Sequence, residues 1–181
     1  MASFKEIDDF FNNLTEGFFR TQVPNIIAEK ATEYFKQRFT TKEWDGKSWP
    51  ETKKPVKRGT LMVRSAALVS SIRPSKVTSE RVVISAGSDK VPYARIHNEG
   101  GVIDHPGGTP FFTDKENDNK TVFVSKEKAR ELRAYKGILL PFTKPHKIPM
   151  PQRQFMGISQ GLKDYLFDKL QKAFNSFSKT T

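Results

Sequence analysis

The sequence predicts an α+β fold. Helical periodicity marks both ends of the 181-residue chain, and short β-branched and aromatic runs fill its middle. A polar tip between two Phe- and Val-rich arms adds a β-hairpin-like insertion. Strands bracketed by helices, rather than strictly alternating with them, are the pattern of α+β folds. The chain reads as a single domain, 1–181. It holds an N-terminal helical region (1–42), a core (60–101 and 144–181) and an insertion arm (102–143).

Residues 3–19 predict an amphipathic helix. Phe4, Ile7, Phe11, Leu14 and Phe18 recur at three- and four-residue steps, and Ser3 with Glu6 makes a capping box. Pro24 suits the first turn of a second helix over 24–40, with Ile27, Ala31, Tyr34 or Phe35, and Phe39 on its inner face. Two Trp, a Gly-containing turn and a basic cluster make 43–59 a loop. Residues 60–74 suit a short helix carrying Leu61, Leu68 and Ile72 and ended by Pro74.

Residues 76–88 read as two short strands or one bent strand, with Val77, Val82 and Ile84 on alternate positions. Residues 91–99 suit strand or helix. Four Gly and two Pro make 100–110 a turn. "PFFT" (110–113) and "KTVFVSK" (120–126) flank the polar "DKENDN" as a hairpin, with Phe111, Phe112, Val122, Phe123 and Val124 on its arms. A further strand is expected over 137–143. Three prolines keep 144–155 extended. The last helix, 157–177, is capped by Ser159, and Leu162, Tyr165, Leu166, Leu170, Phe174 and Phe177 form its stripe.

The formal net charge is +11, unevenly spread. Residues 51–64 hold five Lys and Arg against one acid, and residues 120–147 hold eight against two. The clusters are Lys53, Lys54, Lys57 and Arg58, and then Lys126, Lys128, Arg130, Arg133 and Lys136. Such patches favour nucleic acid or an acidic protein surface. Tyr135 could stack on a base, yet no helix-turn-helix, RNA-recognition motif or zinc finger is present. With no cysteine there is no disulfide or thiolate chemistry. No apolar run approaches the roughly 20 residues of a membrane helix. The acidic, amphipathic N-terminus does not read as a secretory signal.

The candidate chemistry centres on "YARIHNEGG" (93–101), where His97, Asn98 and Glu99 run into Gly100 and Gly101. With Asp104, His105 and His146 they supply groups suited to a metal or a general base. The spacing argues against it. His97 and His105 are separated by a Gly-rich turn, and neighbours in a strand point to opposite faces. The alternative is a partly buried, hydrogen-bonded His97, with Tyr93 and Ile96 packing, at a sharp backbone turn. "SAGSD" (85–89) lacks the Lys and the helix of a phosphate loop.

Four stretches in order carry a resemblance: "WDGKSWPETKK", "GTLMVRSAALVSSI", "VPYARIHNEGG" and "IPMPQRQFMGIS". Together, over about 35–175, they resemble the virion-morphogenesis, or tail-completion, family of tailed bacteriophages. Ala66 stands where that family often has Gly. The resemblance implies a small antiparallel sheet flanked by N-terminal and C-terminal helices. It also implies a structural neck protein in the virion, assembled in the host cytoplasm, with no enzymatic activity, no cofactor and no membrane contact. The protein would form a homo-oligomeric ring around the DNA channel. Its partners would be other neck proteins, on the connector or portal side and on the tail-terminator or tail-tube side, and channel DNA without sequence specificity.

The interaction residues expected are Phe111, Phe112, Phe123, Lys126, Lys128, Arg130, Arg133, Lys136 and Arg153, the last pairing with a carboxylate. Phe155 is expected to pack beneath the final helix. Two other functions stand beside this one: a basic DNA-binding accessory protein without sequence specificity, and a metal-dependent nuclease using His97, Glu99 and His105.

Overall fold

The computed structural model describes residues 4–52, 59–114, 120–136 and 141–180. The expected capping pair of Ser3 and Glu6, the first basic cluster (Lys53, Lys54, Lys57 and Arg58) and most of the strand expected over 137–143 lie outside what is described. The chain divides into two compact units: Met1–Gly100 with Pro151–Thr181, and Gly101–Met150.

The first unit opens with a continuous helical rod. It comprises α1 (Phe4–Asn12), a π-helical stretch (Asn13–Gln22) and α2 (Val23–Thr41). Pro24 sits in the first turn of α2, where its missing N–H has no helical partner to lose. Lys42, with φ of 56°, ends α2 by donating its N–H to Arg38 O at 2.7 Å. The expected loop after it contains a small hairpin, β1 (Glu43–Trp44) and β2 (Lys47–Ser48). Asp45 and Gly46 both have positive φ, as a two-residue hairpin turn requires.

The helix expected over 60–74 shrinks to one turn, α3 (Ala67–Ser70). Pro74 does not end it; Pro74 lies inside β3 (Arg73–Val77), which pairs antiparallel with β4 (Val82–Ser85). Among the described residues β3 pairs with β4 alone, and such an edge position tolerates a missing donor. Residues 91–99, open between strand and helix, form α4 (Ala94–Glu99).

The second unit begins with β5 (Gly101–His105), a strand where a turn was expected. Its partner is distant in sequence. The hairpin of β6 (Phe111–Asp114) and β7 (Lys120–Phe123) follows as expected. Next comes α5 (Lys126–Lys136), which carries the second basic cluster. β8 (His146–Met150) closes the unit by pairing antiparallel with β5 in the register Gly101↔Met150 to His105↔His146. The chain then re-enters the first unit and ends in α6 (Gln160–Thr180), capped by Ser159 Oγ accepting Leu162 N–H at 3.1 Å. The class is α+β, and the described strands pair as four separate two-stranded antiparallel ladders.

The core lies in the first unit, where α2 packs on α6. Phe35 stacks on Trp44 with centroids 6.1 Å apart, Phe39 meets Trp49 edge-on at 5.4 Å, and Phe39 meets Phe155 at 5.0 Å. Leu68, Ile72 and Leu162 belong to the same cluster. Further along the rod Phe18 is buried between Phe174 and Phe177 of α6, at 5.6 and 5.1 Å. The expected N-terminal stripe is thus only partly inward, since Phe11 is exposed.

Candidate functional site

Two of the quoted stretches, the Trp loop and the Tyr93–Gly101 corner, meet on a segment of the last, Gln152–Met156. Asn98, at the end of α4, accepts the backbone N–H of both Phe155 and Met156 on its Oδ1, each at 2.9 Å. Two donors aimed at one atom identify it as the amide oxygen. The next carbonyls of α4 are used too. His97 O accepts Arg153 N–H at 2.8 Å, and Asn98 O accepts Gln152 Nε2 at 3.2 Å. From the other side, Trp49 Nε1 donates to Gln154 O at 2.7 Å. The segment is held as an added strand would be, by side chains and helix-end carbonyls instead of a ladder.

Arg153 is buried at 5% exposure. Its Nε donates to Pro50 O at 2.8 Å and its Nη2 to Glu51 O at 3.2 Å. These partners are carbonyls of the Trp loop, where a carboxylate was expected. Burial pulls the guanidinium below its ordinary pKa. Phe155, as expected, is a core residue at 1% exposure. Gly100 completes the clasp. Its φ is +72°, and a Cβ there would meet Gln152 N at 2.9 Å, so only glycine permits this approach.

His97 is half-buried, but its ring is not hydrogen-bonded as expected. Nδ1 is buried and meets no partner among the described residues, and the ring lies edge-on to Tyr93 at 5.7 Å. Burial, and then the charge of Arg153, hold its pKa below the ordinary imidazole value. Glu99 points elsewhere and pairs with Arg95 at 2.9 Å on the surface. In the second unit His105 stacks on His146 with centroids 4.9 Å apart, and its Nδ1 accepts Gly107 N–H at 3.0 Å. Among the described residues no group of three or more His, Asp or Glu is placed to hold a metal ion.

A groove of about 1030 Å³ runs along α2, lined by Glu29, Glu33, Lys36, Pro74 and Val77 among others. Both acids are engaged by Lys30, at 3.0 and 3.1 Å. That engagement raises the lysine's pKa, through Glu29 first and then Glu33, and lowers that of Glu33.

The remaining interaction residues lie on the second unit. Phe111 is half-buried and faces Phe123 at 6.2 Å, while Phe123 is 61% exposed. Lys126, Lys128, Arg130 and Arg133 are exposed on α5, whose N-terminus is capped by Ser125 Oγ accepting Lys128 N–H at 3.1 Å. The side chains of Phe112, Tyr135 and Lys136 lie outside what is described. Sequence reasoning missed α5 as a helix and Asn98 as the centre of the clasp. The available signal for Asn98 was its place in one quoted stretch and the presence of another beyond the insertion.

No helix among the described residues is long and apolar enough to cross a membrane. The sequence profile of the phage virion morphogenesis family matches residues 2–175. No curated protein and no solved structure matches the chain.

Proposed function

The chain belongs to the phage virion morphogenesis family, and from that premise we propose that it is a structural part of the virion neck. In this reading it joins or completes the tail at the head–tail interface, as one subunit of a homo-oligomeric ring around the DNA channel. Its neighbours are the connector or portal side above and the tail terminator or tail tube below. It is assembled in the host cytoplasm, stays in the virion and catalyses nothing.

The observation that carries this reading is the use of the "HNE" corner. Asn98, the residue at its centre, is spent on holding Phe155 and Met156 in place. Glu99 is spent on a surface pair with Arg95. A corner that resembles an active site is therefore structural, while the exposed chemistry is charged and aromatic: Phe123, Lys126, Lys128, Arg130 and Arg133. Of these, the Phe and Arg side chains are types enriched at protein interfaces, and the lysines add charge that steers a partner. We take the basic clusters to face an acidic protein rim in preference to DNA, because a channel that grips phosphates tightly would hinder its cargo.

Native mass spectrometry of the full chain, alone and with neck partners, tests the reading. A closed ring of one stoichiometry is expected. A chain that stays monomeric under all these conditions contradicts it. A second reading, a DNA-binding accessory protein without sequence specificity, is favoured by one observation, the exposed basic helix α5. It predicts binding that falls steeply with salt as counterions are released, with no preference among sequences.

A further inference from the structure

Two exposed surfaces of opposite charge stand on different units, and both display aromatic rings. The first turns of the N-terminal rod are acidic: residues 4–16 hold Glu6, Asp8, Asp9 and Glu16 against Lys5, with Glu16 paired to Arg20 at 2.9 Å. Asp8 and Asp9 are exposed, and Phe11 and Phe19 show 58% and 51% of their surface. Phe18 fixes the rod to α6 through Phe174 and Phe177, and Phe19 packs edge-on against Phe18 at 5.4 Å. The arm is basic: residues 120–136 hold six Lys and Arg against Glu127 and Glu131. Phe123 stands 61% exposed at its base, on a two-stranded ladder too small to bury its own faces.

We infer that these surfaces are the two halves of one interface between neighbouring copies, the acidic rod of one seated against the basic arm of the next. The inference deepens the ring proposed above and rests on it. Charge complementarity steers encounter and rejects wrong orientations. A contact of either surface with itself would set like charges together, so the rod of one copy is matched to the arm of another, and in a ring that match runs head-to-tail. A head-to-tail contact between different surfaces is the kind that closes into a ring. Exposed ion pairs contribute little by themselves. The Phe rings supply the apolar centre of the contact, and the charges select the partner.

The test uses two charge-reversed full-length variants, Asp8→Lys with Asp9→Lys and Lys126→Glu with Arg130→Glu and Arg133→Glu, checked for folding by circular dichroism. The first has a basic rod and a basic arm; the second has both acidic. Each alone is expected to assemble at least tenfold more weakly than the wild type by native mass spectrometry and sedimentation. A one-to-one mixture is expected to recover assembly as alternating copies, because each rod then meets an arm of opposite charge. Two variants that assemble as the wild type does overturn the inference and leave the ring standing. So does a mixture no better than its components. An arm variant that loses only DNA binding assigns α5 to nucleic acid and also overturns it. A wild-type chain that never assembles overturns the ring itself, without reference to the variants.

Discussion

Asn98 Oδ1 receives two backbone N–H groups, those of Phe155 and Met156, each at 2.9 Å. Residues 57 and 58 positions apart in the chain are thereby joined through a single atom. The inserted unit, Gly101–Met150, lies between them in sequence. The clasp therefore closes the first unit around the point where the insertion leaves and returns.

Asn98→Ala leaves both N–H groups without their acceptor. Each stranded, part-buried donor costs about 1–3 kcal/mol, so the loss expected is about 2–6 kcal/mol. Asn98→Asp keeps an acceptor oxygen and is expected to lose less than half as much. Urea denaturation of the two variants measures the difference; equal losses would show that the acceptor is not what matters.

Ala66 has a φ of 56°, in the left-handed region, at the residue before α3. A side chain there costs about 1–2 kcal/mol. Ala66→Gly removes that strain but loosens the unfolded chain by about 0.4–1 kcal/mol. The net expected is a gain of up to about 1.6 kcal/mol, read as a higher denaturation midpoint. A destabilised variant would mean that the methyl group packs usefully.

His97 is held neutral by burial and by Arg153, with its pKa below the ordinary imidazole value of about 6.5. The unfolded chain thus binds the proton more readily than the folded one. The contribution of His97 to stability is complete above the unfolded pKa and is lost as pH falls through and below it. His97→Gln is expected to flatten the stability profile between about pH 6.5 and the folded pKa. An unchanged slope in that window would assign the pH dependence to another group.

The paired ends of β5 and β8, His105↔His146, allow the arm to be removed cleanly. Replacing 106–145 by Asn-Gly joins them with a two-residue hairpin turn. The first unit, with a core of its own that includes Phe35, Phe39, Trp44, Trp49 and Phe155, is expected to keep its thermal midpoint within a few degrees. The shortened chain is expected to fail in virion assembly. Loss of the cooperative transition would mean that the arm is needed for folding.

Local signals revealed much of this architecture. The stripe from Ala31 to Phe39 placed α2, Ser159 placed the start of α6, and the polar tip between Phe111 and Phe123 placed a hairpin. What stayed hidden depends on distant partners or on weak local contrast. β5 is a strand because β8 lies beside it, and nothing near Gly101 announces a partner at Met150. Pro74 reads as a helix stop until β3 is seen to pair with β4 alone among the described residues. α5 is so charged that the apolar positions Ala129, Leu132 and Tyr135 give only a thin stripe in sequence. Trp44 and Trp49 fell in an apparent loop because the hairpin strands around Asp45–Gly46 are two residues each. His97 and Glu99 attract attention as titratable groups, whereas the geometry turns on the amide between them.

Electron microscopy of particles from an infection in which this protein is not made tests the neck assignment most directly. The account predicts virions that fail at the head–tail junction. Tailless heads beside free tails would place the protein in joining, and overlong tails would place it in length termination. Normal, infectious tailed particles would contradict the assignment.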